Sequence, residues 1–198
     1  MKKFLFICLL SATTISLFAR GFESISLGAN VGYTNHSIIG GEIFLQGGGQ
    51  LWERPVNAKV GVSYFPYQAS FRQRTDLHTE SIGIFAEGVI HPFSNFLFAG
   101  FRWEGINFNW FSQESLQAIG SDMSFVLFSG TGFYGVVGAS IPLSNNISLN
   151  LSAMPGFQNY RLADGLFSSG NFTTGGMHQE NHILFNFRAL AGISIRLR

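Results

Sequence analysis

From about Glu23 onward the chain alternates apolar residues with small or polar ones, segment after segment. A period of two marks strands whose two faces meet unlike surroundings. The first predicted strand, about Glu23 to Tyr33, sets Ile25, Leu27, Ala29, Val31 and Tyr33 against Ser26, Gly28, Asn30 and Gly32. The third alternates Ala58, Val60, Val62 and Tyr64 with Lys59, Gly61 and Ser63. The fourth sets Ile82, Ile84, Ala86 and Ile90 against Ser81, Gly83 and Glu87. The fifth sets Leu97, Ala99, Phe101 and Trp103 against Gly100, Arg102 and Glu104. The seventh alternates Ile147, Leu149, Leu151 and Ala153 with Ser148, Asn150 and Ser152. The eighth is the longest, carrying Ile183, Phe185, Phe187, Ala189, Ala191, Ile193, Ile195 and Leu197 on one parity and Asn186, Arg188, Gly192, Ser194, Arg196 and Arg198 on the other.

Two segments alternate less cleanly. In the second predicted strand, about Gly40 to Leu51, the run Gly47-Gly48-Gly49 erases the pattern, and Ile43 and Leu45 are assigned outward with Glu42 and Gln46 inward. The sixth, about Phe125 to Ile141, is apolar on both parities, and Phe133, Val137 and Ala139 are assigned outward. Glycine within strands marks bends or close backbone approach, both of which a narrow barrel requires.

The connections alternate in length. Trp52 to Val56, His91 to Asn95 and Pro142 to Asn146 read as short turns rich in Pro, Ser and Asn. Gln68 to Thr79, Gly105 to Ser124 and Gln158 to Asn181 read as long polar loops; only the first connection on that side, Asn35 to Ile39, is short. Eight strands bring both ends of the chain to the side of the short turns. Membrane barrels follow this rule, with short periplasmic turns and longer extracellular loops.

The N-terminus reads as a secretory signal: Lys2 and Lys3, the apolar run Phe4 to Leu10, and a small-residue end at Leu17-Phe18-Ala19. Residues 1–19 are therefore expected to be cleaved and 20–198 to form one barrel domain. The apolar run stops at Ser11, well short of the ~20 residues of a spanning helix. The single cysteine, Cys8, lies in this segment, leaving no thiol in the expected mature chain.

Composition supports lipid outside and a tightly filled interior: charged residues are only 12% of the chain, with 22 Phe and 24 Gly. The net charge of +1 gives no support for a nucleic-acid partner. Tyr33, Tyr64, Trp103, Phe157 and Phe185 fall on the apolar parity near the long-loop end, as an aromatic girdle would. The inward parity carries few charges, of both signs: Lys59, Arg102, Arg188 and Arg196 against Glu42, Glu87 and Glu104. In so narrow a lumen they are expected to pair, because an isolated buried charge costs several kcal/mol.

With these features the chain resembles the small eight-stranded outer membrane β-barrels of the OmpA/OmpX type, and within them the outer membrane protein β-barrel domain or porin-like family of Gram-negative bacteria. The resemblance covers about Phe22 to Arg198 and rests on pattern and topology. It implies an all-β, up-and-down transmembrane barrel in the outer membrane with both termini periplasmic. Outer membrane lipid and lipopolysaccharide, and the barrel assembly machinery, would be its partners. One departure is the end of the chain, Ile195-Arg196-Leu197-Arg198, where such barrels often finish on an aromatic residue.

Catalytic and metal chemistry find little footing. An outer-leaflet lipid A-modifying enzyme would need a Ser-His pair. His36 and Ser37 are adjacent and would point to opposite faces of a strand, and His78, His178 and His182 match no deacylase spacing. His178 and His182 could ligate zinc on a helix, but Gly175-Gly176 and Asn181 favour a loop. No catalytic residue, metal site or cofactor is expected. A secreted lipocalin-like barrel shares the strand number and the signal but not the outward aromatics or the turn rule. A small porin remains the other alternative. The expected role is structural, or surface interaction through the long loops with an extracellular partner.

Overall fold

The computed structural model describes residues 22–35, 39–65, 67–71, 74–93, 96–111, 125–168, 171–173 and 179–197. At 67–71, 74–81, 106–111, 125–129, 160–168, 171–173, 179–182 and 184 it describes the backbone alone. The expected signal segment lies outside these residues. Ten strands and no helix are found among them: β1 (Ser24–Thr34), β2 (Ile39–Leu51), β3 (Arg54–Tyr64), β4 (Tyr67–Phe71), β5 (Arg74–Ile90), β6 (Leu97–Phe111), β7 (Phe125–Pro142), β8 (Ile147–Ser168), β9 (Asn171–Thr173) and β10 (Gln179–Arg196). Every pairing is antiparallel, and β10 pairs with both β8 and β1, which closes the sheet. Eight strands form the wall. β4 carries the third one onward along β5, and β9 folds back on the end of β8.

The register sets the width of the barrel. Aligned partners run from Ser24 through Gly48, Asn57, Val89 and Gly100 to Val136; the β7–β8 pairs on either side, Tyr134–Gly156 and Val137–Ala153, set Val136 level with Met154, which leads to Arg188 and Thr34, ten residues further along the starting strand. Such a stagger tilts eight strands by about 40° and leaves an interior just wide enough for side chains to fill.

Alternation is followed closely. On β2, Ile43 and Leu45 are exposed outward while Glu42 and Phe44 are buried inward, and on β7 Phe133 and Val137 face out. Phe44, Phe65, Phe85 and Phe98 fill the interior with Tyr134, Val136, Met154 and Leu190. Glycine is required where these rings press on the wall: a Cβ at Gly61 would meet the Phe85 ring at 2.8 Å.

The turns have local causes. At Pro142 to Asn146 the Ser144 hydroxyl accepts the backbone N–H of Ile147 at 3.1 Å, and the Leu143 N–H donates to the Ile147 carbonyl at 2.8 Å. β2 and β3 join through Trp52 and Glu53 alone, since Leu51 already pairs with Arg54. Both residues have positive φ, 48° and 63°, the backbone that a two-residue hairpin turn demands and that Asn-Gly usually supplies.

The long polar stretches are corrected by the structure. Across 68–79, β4 and β5 pair from Tyr67–Thr79 to Phe71–Arg74, so this stretch is mostly hairpin. β6 continues to Phe111 and β8 to Ser168, and β10 begins at Gln179. Residues 112–124, 169–170 and 174–178 lie outside the described residues. In the paired stretches apolar alternation lapses in the sequence while the backbone ladder continues.

Candidate functional site

The inward faces of β2, β3, β5, β6 and β10 bring six charged side chains into one buried cluster at mid-height. Lys59 Nζ lies 2.7 Å from Glu87 Oε1. Arg102 Nη1 donates to Glu42 and lies 3.8 Å from Glu87 Oε2, while its Nη2 donates to Glu104 Oε2 at 3.1 Å. Arg188 grips Glu104 with both arms, Nη1 to Oε2 at 2.7 Å and Nη2 to Oε1 at 3.1 Å. Three cations thus face three carboxylates. Two-point guanidinium–carboxylate pairing is the strongest and most directional way to satisfy such groups.

Aromatic rings occupy the space that the ions leave. The Arg102 guanidinium carbon sits 3.5 Å from the Phe85 ring centroid, and that of Arg188 lies 4.4 and 4.6 Å from Phe65 and Tyr134. Lys59 Nζ lies between Phe44 and Phe98, at 5.1 and 5.4 Å. Cations over ring faces gain most where water is excluded, and Arg102 and Arg188 are each only 1% exposed. Neutral partners extend the network upward and sideways. Arg188 donates to the Tyr134 hydroxyl at 2.9 Å, which donates to Gln158 at 3.2 Å. Asn30 donates to Glu42 at 2.7 Å.

Arg196 does not belong to the cluster. Its alignment with Ser26 puts it at the chain-end rim, where it is exposed and lines a separate cavity. Parity alone placed it with the others; the length of the strand separates it from them. Arg198 lies outside the described residues.

The outward aromatics form a row. Trp103, Phe133, Phe157 and Phe185 are aligned partners on four consecutive wall strands, β6, β7, β8 and β10. Phe157 and Phe185 pack edge to face with centroids 5.7 Å apart. Tyr33 and Tyr64 are also outward, on β1 and β3. Phe133, legible as outward from the sequence, is aligned between Trp103 and Phe157 in this row. A second exposed group went unread in the sequence: Trp52 and Phe93, 82% and 88% exposed, with Leu143 and Leu197 at the short-turn end. The signal was large aromatics inside turns otherwise built of Pro, Ser and Asn.

Of the histidines weighed for chemistry, His36 and His178 lie outside the described residues, as does Ser37. For His78 and His182 only the backbone is described, in β5 and β10. No cluster of three or more metal-ligating residues is found among the described residues.

No protein-family model matches the chain, and no curated protein matches it. Among solved structures, a major outer membrane protein from Thermus thermophilus aligns with a TM-score of 0.50 at 12% identity, over 88% of this chain and 98% of that one. The likeness is one of fold. By fold the chain is a closed, all-β, eight-stranded antiparallel barrel.

Proposed function

We propose that the chain is an outer membrane barrel whose lumen is plugged, acting as a structural or surface-interaction protein through the hairpins above its girdle. The outer surface supports membrane insertion. Ile, Leu, Val and Ala face outward between the aromatic row and the lower exposed group, and the span from Ile25 to Tyr33, eight residues at ~3.3 Å tilted by about 40°, rises ~20 Å. With that lower group beneath it the band approaches the ~25 Å apolar height of outer membrane barrels. The solved neighbour is itself named an outer membrane protein. Short turns and chain ends share one side, which would face the periplasm, with lipopolysaccharide meeting the upper aromatics and the assembly machinery required for insertion.

The observation that carries the plugged reading is the Arg102–Glu104–Arg188 core, buried with its Glu42 and Glu87 partners across a lumen already filled by Phe44, Phe65, Phe85 and Phe98. A continuous water column has no room there. The extended β4–β5 hairpin and the upper parts of β6 to β10 then supply the surface for an extracellular partner. In planar bilayers the purified barrel is expected to give no stable single-channel steps, and the native protein to fractionate with outer membranes and resist carbonate extraction. Ion-selective conductance would replace this reading with a small porin; recovery as a detergent-free soluble protein would replace it with a lipocalin-like barrel.

A further inference from the structure

Beneath the charged cluster the lumen opens into a second space. At the chain-end mouth of the barrel is a cavity of about 370 Å³, within the ~300–1,000 Å³ range of small-ligand sites. Its lining includes His91, whose ring stands edge-on to Phe98 at 5.8 Å, and Phe98 in turn borders the Lys59 ammonium of the cluster. Its lining is dominated by hydroxyls and amides: Ser26, Ser140, Ser148 and Ser194 with Gln46 and Asn57.

Three features give this lining a direction. Asn57 Nδ2 and His91 Nε2 are 3.0 Å apart, so the deepest polar groups are already oriented by each other. The half-exposed Phe96 ring stands at the rim. Arg196 lines the mouth with no carboxylate within ion-pair distance among the described residues, although Glu23 lines the same rim. The three cations of the cluster above are all paired, so the rim guanidinium stands apart from them.

We infer that this pocket binds a small hydroxylated carboxylate of the sugar-acid class. Serine hydroxyls and carboxamides both donate and accept, as a ring of sugar hydroxyls requires. A guanidinium takes a carboxylate in two-point geometry. An exposed aromatic ring offers a flat apolar surface to the C–H face of a pyranose. The site does not depend on which compartment the mouth faces.

The test uses the full mature barrel, folded in detergent micelles, with D-glucuronate as probe and methyl glucoside and acetate as partial probes. Backbone amide shifts at Ser26, Asn57, Ser194 and Arg196 should saturate with a Kd of about 1 mM. Each partial probe should bind at least about tenfold more weakly, one lacking the charge and the other the ring. Arg196→Gln, whose side chain makes no contact that the barrel needs, should weaken glucuronate about tenfold. Ser140→Leu, which fills the pocket, should remove the saturable shifts. No saturable shift with glucuronate at about 50 mM would overturn the assignment. So would acetate matching glucuronate, which would reduce the site to a bare anion contact, or an Arg196→Gln barrel that binds as wild type.

Discussion

Arg188 on the last strand holds Glu104 on the fifth wall strand by both carboxylate oxygens, across 84 residues of sequence. The same carboxylate accepts from Arg102 two residues away on its own strand. One anion therefore serves two cations, and each truncation leaves the buried charges unbalanced. Arg102→Ala leaves Glu42 without its guanidinium, and it should destabilise the barrel by about 3–5 kcal/mol in urea titrations. Replacing Arg188 and Glu104 together with apolar residues of similar volume should cost less than either single truncation, because no buried charge is then left unpaired. Equal cost for the double and single variants would contradict this account of the coupling.

The outward and inward parities should respond very differently to charge. Leu151 and Ile193 are exposed outward at mid-height on β8 and β10. Leu151→Arg and Ile193→Arg should each lower stability in lipid vesicles by about 2–4 kcal/mol. Ser148→Asn, on the inward parity of β8 beside the polar cavity, should be nearly silent. Equal tolerance of both parities would mean that the outward face does not meet lipid.

The outward aromatic row allows a direct measurement of a cross-strand aromatic pair. Phe157→Ala, Phe185→Ala and their double variant form a cycle whose coupling energy should be about 0.5–1.5 kcal/mol, from unfolding in the same lipid. A coupling of zero would show that the edge-to-face contact contributes only area.

The β2–β3 turn is built from the wrong residues for its backbone. Trp52 and Glu53 both hold the left-handed conformation, which costs roughly 1–2 kcal/mol per residue. Glu53→Gly should therefore raise stability by about 1 kcal/mol, after allowing for the extra freedom of glycine in the unfolded chain. Trp52→Gly should relieve the same strain yet weaken partition into vesicles, because the exposed indole would be lost from the short-turn end. A Trp52→Gly barrel that partitions normally would remove the case for anchoring.

Much of the fold was readable because the two faces of each wall strand differ, and difference is what periodicity records. Ile43 and Glu42 declared their sides even beside three glycines, and Phe133 did so in a strand that is apolar on both parities. Where the two sides of a strand are alike, as from Gln68 to Thr79, nothing marked the ladder that continues there. The six clustered charges were readable as inward. Which anion met which cation was not, since that depends on the stagger between strands and no single strand carries it. The same limit misplaced Arg196, whose parity matches Arg188 while its height does not. Trp52 and Phe93 were missed for a different reason: turn residues have no parity to read.

The stagger that sets the barrel width also sets when its interior becomes neutral. Glu42, Lys59, Glu87, Arg102 and Glu104 are all carried by the first five wall strands, and together they hold three negative charges against two positive. The balancing cation, Arg188, arrives only with the final strand. A slip of one residue would turn it to the outer surface, and a slip of two would move it one inward position along the strand, about 6–7 Å from Glu104. Closure in any other alignment thus leaves a buried surplus of negative charge. A barrel closed in another register is therefore expected to be less stable than the aligned one, by the several kcal/mol that a stranded buried carboxylate costs.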